Sequence, residues 1–367
     1  MRIENVQILM EDGVFRNGSV EFDEKIQKIE LNETAHAHHY LIPGLVDVHT
    51  HGALGGDHLD ASLEQMKDIS SFYARNGTTA FLATTLSASE ETLLRAVSQM
   101  DGFHHIEGGA RYLGINLEGP FFSPSKRGAH PTHLLQPPRL SMFERLNKAS
   151  KEQIRMVCVA PELEGAMAFI KEVSKVCCVS LAHSVADYQT AMEAFECGAT
   201  HVTHLYNGMN GFLHREPGII GAAMDANAFV EVICDGYHLH PAVIRGTFRM
   251  FPQRVCLISD SIRYTGLADG EGEFVGVPIT IKGGRVTLES GHLAGSSISL
   301  LQGVQRAVSL GIPLAQAVMA ASANPAKSIG MENKIGTIKT GAYADMVILD
   351  DELQVNKVYI GGQEIKG

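Results

Sequence analysis

The central part of the chain alternates short apolar runs with longer segments that place apolar residues at helical spacing. Eight apolar runs of four to six residues each precede a polar turn, and they are 45–48, 79–83, 112–117, 155–159, 178–182, 201–204, 230–234 and 255–259. Helical periodicity fills most of the intervals between them, namely 62–76, 90–100, 140–150, 163–175, 187–197 and 241–251. Strands that alternate with helices predict a parallel sheet, and eight such units predict a closed (β/α)8 TIM-type barrel of the α/β class.

Both ends of the chain have a different character, with short alternating strands and tight turns. In residues 1–43 the pairs Asp12-Gly13 and Asn17-Gly18 are turn signals between segments of β-forming residues. Residues 335–367 contain similar segments and a further Gly-Gly turn. We therefore predict that the two ends pair into one small β-sandwich domain beside the barrel.

The predicted barrel domain, residues 44–334, is somewhat longer than the roughly 250 residues typical of this fold. Part of the excess is a stretch at about 272–292, where Gly-rich turns and β-branched residues predict an inserted β-hairpin. Segments 299–310 and 313–330 are expected to supply the helices that close the barrel.

The composition is that of a globular protein, and its charge limits the partners. Hydrophobic residues make up 45% of the chain and charged residues 19%, and no apolar run approaches the roughly 20 residues needed to span a bilayer. The net charge of −11 argues against nucleic acid as a partner, and an anionic substrate would need a local positive site. Six cysteines without a Cys-x-x-Cys pair, and a start without a signal-peptide core, predict free thiols in a cytoplasmic protein.

Two histidines, His49 and His51, end the first apolar run in the segment Asp47-Val48-His49-Thr50-His51. Side chains on a strand alternate between its faces, so two histidines one residue apart point the same way. Such a pair can bind one divalent metal ion through bonds of about 2.0–2.1 Å. Two histidines in a strand can equally be polar residues satisfied by hydrogen bonds, so the pair needs support from the rest of the chain.

That support comes from the other predicted strand ends, where a (β/α)8 barrel places its chemistry. Seven of the eight ends carry a side chain suited to metal binding or acid–base catalysis, and these are His49 with His51, Glu118, Glu162, His183, His204, Asp235 with His238, and Asp260. Chance would scatter such residues along the chain. Their placement favours a metal site at the carboxyl end of the barrel.

Longer motifs surround these strand ends. They are Pro-Gly-Leu-Val-Asp-Val-His-Thr-His-Gly at 43–52, Leu-Glu-Gly-Pro-Phe at 117–121, Ala-His-Ser at 182–184, Thr-His-Leu-Tyr-Asn-Gly-Met at 203–209, Arg-Glu-Pro-Gly at 215–218, Asp-Gly-Tyr-His at 235–238, Ser-Asp-Ser-Ile-Arg at 259–263 and Leu-Ala-Gly-Ser-Ser at 293–297. Nearly end to end, the chain thereby resembles the amidohydrolase superfamily and, within it, the N-acetylglucosamine-6-phosphate deacetylases. Many relatives have Thr-Asp-Ala at 259–261, a difference that keeps the aspartate but leaves the sugar selectivity open.

The resemblance implies which residues form the metal centre and how many ions they hold. Glu118, His183 and His204 match the ligands of the metal ion present throughout the family. Members that lack one of the two early histidines hold one ion, and members that keep both hold two. His49 and His51 therefore make this chain resemble the two-metal type, with Glu118 as the bridging ligand. Zinc or iron is the expected metal, because imidazole and carboxylate ligands suit both.

The remaining matched positions bind substrate in the family. His130 and His238 match residues that hold the sugar hydroxyls or the acetyl oxygen. Asn207 and the backbone near Gly208 match phosphate contacts. Arg215 matches an arginine that reaches the phosphate across a dimer interface, so the resemblance also implies a homodimer.

The chemistry expected from the resemblance is metal-dependent hydrolysis of an acetamide. A bound divalent ion lowers the pKa of water from 15.7 toward about 7, which gives hydroxide at neutral pH. Asp260 matches the catalytic acid–base and is also a candidate metal ligand; it would take a proton from that water and pass it to the departing amine. Its ordinary pKa of about 3.9 is low for a proton donor, so we expect its surroundings to retune it.

The expected substrate is N-acetyl-D-glucosamine 6-phosphate, hydrolysed to D-glucosamine 6-phosphate and acetate in amino-sugar catabolism and cell-wall sugar recycling. The galactosamine isomer stays open, because the two sugars differ only in the stereochemistry of one hydroxyl. A cyclic-amide hydrolase is disfavoured: those relatives usually use a carboxylated lysine as bridging ligand, whereas here the third predicted strand ends in Glu118. A catalytically lapsed binding protein is also disfavoured, because every matched ligand and the acid–base are present.

Overall fold

The structure is a computed structural model that describes residues 1–32 and 37–366. Within these residues eight parallel strands follow one another around a barrel, and they are Leu45–Thr50, Thr78–Thr84, Arg111–Leu117, Ile154–Val159, Cys178–Leu181, His201–Val202, Phe229–Ile233 and Val255–Ile258. We refer to them as the first to eighth barrel strands. The predicted (β/α)8 barrel is thus confirmed, and its strands lie where the apolar runs placed them.

The barrel closes just beyond its last strand. The backbone N–H of Asp260 donates to the carbonyl of His49 at 3.0 Å, and the N–H of His51 donates to the carbonyl of Ser261 at 2.7 Å. These bonds join the first and eighth strands at their carboxyl ends. The main chain itself therefore fixes His49 and Asp260, two residues predicted for the site, against each other.

Helices surround the barrel, and most begin and end within a few residues of the predicted segments. Among the described residues the α-helices are Leu63–Arg75, Glu90–Met100, Leu140–Ala149, Ala166–Val173, Tyr188–Glu196, Gly218–Asp225, Pro241–Met250, Leu300–Ser309, Leu314–Ala320 and Ala323–Ser328. Short 3-10 helices are Asp101–His105, Pro124–Lys126 and Thr132–Leu134. Ser62 and Ser299 each cap a helix through a reciprocal capping box with the glutamine three residues later. No helix of the described chain is long and apolar enough to cross a membrane.

The two ends of the chain share one mixed sheet, as predicted. Its strands, in chain order, are Arg2–Leu9, Phe15–Phe22, Ile26–Leu31, His39–Pro43, Met346–Leu349, Val355–Ile360 and Gln363–Glu364. Three strands separate Phe22 from Tyr359 in this sheet, yet their rings meet edge to face at 5.3 Å. The sheet therefore curls back on itself and encloses its own apolar core beside the barrel.

The insertion after the eighth strand differs from the predicted hairpin. It is a sheet of three antiparallel strands, Gly270–Phe274, Val277–Lys282 and Arg285–Leu288. Glycines at both turns have positive φ angles, which lets the chain reverse twice within this segment. Phe274 and the apolar residues of the other two strands pack against Leu86 and Ile262, so the insertion covers one side of the carboxyl end of the barrel.

Candidate metal centre

The predicted ligand side chains converge at the carboxyl ends of five barrel strands. They are His49 and His51 from the first strand, Glu118 after the third, His183 after the fifth, His204 after the sixth and Asp260 after the eighth. All are buried, with at most 7% of each residue exposed. They lie at or around the base of a cavity of about 440 Å³, a volume suited to a small-molecule substrate.

The Glu118 carboxylate is the centre of this cluster. Its Oε1 atom lies 3.3 Å from Nε2 of His204, 3.4 Å from Nε2 of His183 and 3.6 Å from Nε2 of His49. Its Oε2 atom lies 3.4 Å from Nε2 of His51. Four imidazoles therefore present the same ring nitrogen to one carboxylate, which is the arrangement expected of a ligand shared between two ions.

The eighth strand brings Asp260 to the other side of the two early histidines. Its Oδ1 atom lies 3.3 Å from Nε2 of His51 and 3.5 Å from Nε2 of His49. Nε2 of His183 lies 3.1 Å from Nε2 of His204. Donor atoms bound to one tetrahedral ion at about 2.0–2.1 Å would lie roughly 3.3–3.4 Å apart, so these separations suit metal coordination.

The hydrogen-bond partners of the histidines give an independent test of whether a cation fits. Nδ1 of His183 donates to the carbonyl of Lys126 at 2.7 Å, because a carbonyl oxygen can only accept. In the neutral ring Nε2 then carries a lone pair, and it lies 3.4 Å from Oε1 of Glu118 and 3.1 Å from Nε2 of His204. Nε2 of His49 is likewise buried without a hydrogen-bond partner among the described residues. Lone pairs that face a carboxylate are satisfied when a cation lies between them, so these residues fit a divalent metal ion.

Burial lowers the pKa of His49, but the Glu231 and Glu118 carboxylates outweigh it and raise this pKa well above its ordinary value, so the ring carries a proton that a metal ion would displace. Burial raises the pKa of Glu118, but the positive charge of His49 and the neighbouring imidazoles outweigh it and hold this pKa well below its usual value. Burial also lowers the pKa of His183. For Asp260, burial raises the pKa, yet the contacts with His51 and His49 bring it below its usual value. Glu118 and Asp260 are thus anionic. The retuning of Asp260 toward a proton donor that the sequence led us to expect is not seen, because its pKa falls instead of rising; an ionised Asp260 suits the step in which it first accepts a proton.

Three of the candidate residues have strained backbones. His183, His204 and Asp260 have φ angles of 45°, 28° and 49°. Positive φ is uncommon for residues other than glycine and costs about 1–3 kcal/mol, so it persists where surrounding structure holds it. Such strain is typical of functional sites, and here it turns each side chain from a strand end into the cavity.

The predicted substrate residues divide into two groups. His130, Asn207, Gly208 and His238 line the cavity. Arg215 does not line it and lies in an exposed loop, 210–216, after the sixth strand. The structure thus brings four of the five together with the ligand cluster and leaves the fifth on the surface of the chain.

His130 and His238 face the cavity with opposite hydrogen-bonding roles. The backbone N–H of Ser87 donates to Nδ1 of His130 at 3.3 Å, so the proton of this ring is on Nε2, which lies 3.7 Å from Oε2 of Glu118 in the cavity lining. Burial lowers the pKa of His130 to about 3, which keeps the ring neutral. Nδ1 of His238 instead donates to Oδ2 of Asp235 at 2.7 Å, which leaves Nε2 of the neutral ring as an acceptor. One histidine can therefore donate to a substrate oxygen while the other accepts from a hydroxyl.

A glycine is required next to the candidate ligand His183. A Cβ atom at Gly208 would lie 2.8 Å from Nδ1 of His183 and 3.2 Å from the carbonyl oxygen of Lys126. Any larger residue would disturb the hydrogen bond that orients this histidine. The Asn207-Gly208 segment thus serves the ligand cluster as well as lining the cavity.

Several residues near the site were not identified from the sequence. Glu231, inside the seventh strand, contacts Nδ1 of His49 at 2.9 Å. Arg285 and His292 come from the insertion and line the cavity, which makes Arg285 the one arginine or lysine among the described lining residues. A carboxylate within an apolar strand was a visible signal for Glu231, because a buried charge requires a partner. Nothing in the sequence placed the insertion over the cavity.

Comparison with known proteins agrees with this geometry. The model of the amidohydrolase family matches residues 40–365. An N-acetylglucosamine-6-phosphate deacetylase of Vibrio furnissii is 38% identical over 328 residues, which are 88% of this chain and 82% of the relative. An N-acetylgalactosamine-6-phosphate deacetylase of Escherichia coli O157:H7 is 34% identical, and the match covers 98% of this chain and 95% of the relative.

A solved structure extends the likeness to the whole fold. It is an aspartate-to-alanine variant of N-acetyl-D-glucosamine-6-phosphate deacetylase from Mycobacterium smegmatis, in complex with N-acetyl-D-glucosamine 6-phosphate. It is 30% identical with a TM-score of 0.93, and the match covers 100% of this chain and 99% of that one. The chain therefore belongs to the amidohydrolase family and, within it, to the group of N-acetylglucosamine-6-phosphate deacetylases.

Proposed function

We propose that this protein hydrolyses the acetamide of N-acetyl-D-glucosamine 6-phosphate to D-glucosamine 6-phosphate and acetate. The observation that carries the proposal is the convergence of four histidine Nε2 atoms and Asp260 around the Glu118 carboxylate at the base of a cavity. The relative with this sugar phosphate bound shares the fold end to end, which supports the same substrate class. Amino-sugar catabolism and cell-wall sugar recycling are the processes that would use this reaction.

We assign one or two divalent ions, zinc or iron, to the cluster. Glu118, His183 and His204 would hold one ion, and His49 and His51 would hold a second that shares Glu118. Asp260, close to both early histidines, is a further candidate ligand. When bound, such an ion supplies a Lewis acid that lowers the pKa of water and polarises a carbonyl oxygen.

The side chains of this protein would carry the proton and orient the substrate. Asp260 would accept a proton from the attacking water and deliver it to the amine as the C–N bond breaks. His130, neutral and with its N–H toward the cavity, would donate to the acetyl oxygen as charge develops there. His238, held by Asp235, would accept a hydrogen bond from a sugar hydroxyl. In both histidines the hydrogen-bond partner at Nδ1 leaves Nε2 as the nitrogen available to the substrate.

A cation is needed for the 6-phosphate, and we propose that Arg215 of a second copy supplies it. Arg215 lies outside the cavity of its own chain, and the neighbouring Phe212 and Leu213 are 47% and 59% exposed. An apolar surface beside an arginine supports a subunit contact, here in a homodimer. Asn207 and the Gly208 backbone would complete the phosphate site from the chain that holds the sugar.

Arg215→Ala tests this assignment through the phosphate. Charge-assisted hydrogen bonds are worth about 1.5–3 kcal/mol, so kcat/KM for the 6-phosphate should fall about 10- to 150-fold. Residual activity on unphosphorylated N-acetylglucosamine should hardly change. If both substrates suffer equally, Arg215 has a structural role instead.

Mixed subunits test whether the arginine acts across an interface. A dimer of one Arg215→Ala chain and one Asp260→Asn chain should recover one working site, with Asp260 from the first chain and Arg215 from the second. His130→Ala is the matched control, because His130 lines the cavity of its own chain and its loss cannot be rescued by an Asp260→Asn partner. No recovery in the first mixture, despite proven subunit exchange, would overturn the shared site.

N-acetylgalactosamine 6-phosphate is the second candidate substrate. The relative of Escherichia coli O157:H7 named for that sugar matches almost the whole chain, which favours testing it. A cyclic-amide hydrolase has less support, because the described residues that line the cavity include Glu118 and no lysine. Lys126 is the lysine near His183, and its ammonium group donates a hydrogen bond to the carbonyl of Met209 at 3.1 Å.

The deciding assay is acetate release from N-acetylglucosamine 6-phosphate, N-acetylgalactosamine 6-phosphate and unphosphorylated N-acetylglucosamine, with metal analysis of the same sample. We expect the highest kcat/KM for N-acetylglucosamine 6-phosphate. A higher value for the galactosamine isomer would transfer the assignment to that sugar. If the metal-loaded protein released acetate from none of the three sugars, the proposed function would be refuted.

We also place the activity in the cytoplasm, because all six cysteines are free thiols in the structure.

A further inference from the structure

A buried carboxylate beneath the metal-ligand cluster belongs to Glu231, which none of the roles above uses. Glu231 lies in the seventh barrel strand, within the run Phe229–Ile233, and its side chain is fully buried. Burying an ionised carboxylate is costly unless it is paired and hydrogen-bonded. Its position therefore requires partners, and those partners are groups of the proposed metal ligands.

Glu231 contacts ligands on both sides of the cluster. Its Oε2 atom accepts from Nδ1 of His49 at 2.9 Å and from the backbone N–H of His204 at 3.0 Å. On its other side, Nε2 of the buried His201 lies 3.3 Å from Oε1. Oε2 of Glu231 thus binds the side chain of His49, which is assigned to one ion, and the main chain of His204, which is assigned to the other.

The contact with His49 fixes which ring nitrogen faces the cluster. An ionised carboxylate can only accept hydrogen bonds, so Nδ1 of His49 carries the hydrogen. Nε2 is then the nitrogen available to a metal ion, and it is the atom that lies near Glu118 and Asp260. A carboxylate behind a ligating histidine typically orients the ring and makes it a better ligand.

The contact with His204 holds a strained backbone. His204 has a φ angle of 28°, outside the range that residues other than glycine normally adopt. The bond from its N–H to Glu231 ties this residue to the neighbouring strand at the point where the chain turns into the site. Without that bond, the residue could relax and move its side chain away from Glu118.

We propose that Glu231 is a positioning residue that sets the ring of His49 and the backbone of His204, and so couples the two metal positions. It reaches neither the cavity nor the reacting atoms. The proposal rests on the metal centre of the proposed function. It predicts that loss of the carboxylate weakens metal binding without removing any ligand.

The test is the affinity of the metal-free protein for Zn²⁺, measured by competition with a chromophoric chelator, together with the number of ions bound. Glu231→Gln should weaken binding about 10- to 100-fold, mainly at the ion contacted by His49. Asp345→Asn is the matched control, since Asp345 is a buried carboxylate that pairs with Arg111 at 3.2 Å and touches no residue of the cluster. Its Zn²⁺ affinity should stay near that of the unchanged protein.

A double-mutant cycle separates positioning from general damage. If Glu231 acts through His49, Glu231→Gln should have a much smaller effect in a His49→Ala background than in the unchanged protein. Glu231→Asp, which keeps the charge but shortens the side chain, provides a second variant should the glutamine variant fail to fold. Wild-type affinity and stoichiometry in a folded Glu231 variant would overturn the proposal, and equal effects in both backgrounds would overturn the role through His49.

These outcomes are distinct from failure of the proposed function. Acetate release by the wild-type protein, combined with unchanged Zn²⁺ binding in the Glu231 variants, would refute the positioning role alone. Zn²⁺ binding that depends on Glu231, in a protein that releases no acetate from any of the sugars, would refute the function alone.

Discussion

Replacing Asp260 by asparagine removes the proposed proton carrier while leaving the shape of the site in place. The residue has a φ angle of 49°, which asparagine tolerates better than most residues. Its N–H donates to the carbonyl of His49 at 3.0 Å, and its carbonyl accepts from the N–H of Ser296 at 2.7 Å. Because these bonds involve only the main chain, the asparagine should occupy the same position.

The magnitude follows from what the side chain is asked to do. Proton transfer by a positioned group contributes about 10²–10⁴-fold, or roughly 2.7–5.5 kcal/mol of barrier. The Oδ1 atom also lies 3.3 Å from Nε2 of His51, so loss of the carboxylate charge could weaken an ion there and add to the effect. We therefore expect kcat to fall at least about 10²-fold, and more if metal is lost.

The assay is acetate release at saturating N-acetylglucosamine 6-phosphate, with metal content and melting temperature measured on the same preparation. Asp345→Asn is a control of the same chemistry: Asp345 is buried but pairs with Arg111, at 3.2 Å, near the terminal sheet. That variant should lose stability and keep its turnover per folded molecule. Near-normal kcat in metal-loaded Asp260→Asn would show that Asp260 does not carry the proton.

Three further predictions concern the cavity, the pH dependence of stability and the core. His130→Ala should lower kcat about 10²–10³-fold if its N–H stabilises the acetyl oxygen, and a change confined to KM would contradict that role. Burial lowers the pKa of His58 to about 3, so below the ordinary pKa of about 6.5 the unfolded chain binds a proton here that the folded chain does not. Between pH 8 and pH 5 the unfolding free energy of the wild-type protein should therefore fall by about 2 kcal/mol more than that of His58→Asn. Equal losses in the two proteins, measured by chemical denaturation at both pH values, would refute this. Phe81→Ala should cost about 3–5 kcal/mol, because Phe81 is fully buried against Tyr73 and His58; a loss below about 1 kcal/mol in chemical denaturation would show that the site collapses.

The barrel was predictable because its strands are buried on both faces and therefore appear as continuous apolar runs. The helix Gly218–Asp225 was missed for a related reason. Its sequence, Gly-Ile-Ile-Gly-Ala-Ala-Met-Asp, is buried over most of its surface and has no polar face to reveal a helical period. The insertion was recognised as β structure, but the number of its strands depends on two glycine turns that a pattern of β-branched residues does not count.

The convergence of the candidate ligands was predictable because side chains at the carboxyl ends of barrel strands must meet at one end. Glu231 was missed because it lies inside an apolar run, where the pattern identifies the strand but not the partner across the barrel. Its link to His49 spans 182 residues of sequence. The reverse holds for Arg215. The resemblance identifies it from the sequence, whereas in the structure of a single chain it lies on the surface, away from the cavity.

Titration of metal into chelator-treated protein tests the central claim most directly. Acetate release from N-acetylglucosamine 6-phosphate should be near zero in the metal-free protein and should rise with bound Zn²⁺ or Fe²⁺, up to two ions per chain. The His49→Ala, His51→Ala double variant should saturate with one ion fewer. Acetate release that stays unchanged after verified removal of metal would contradict the account.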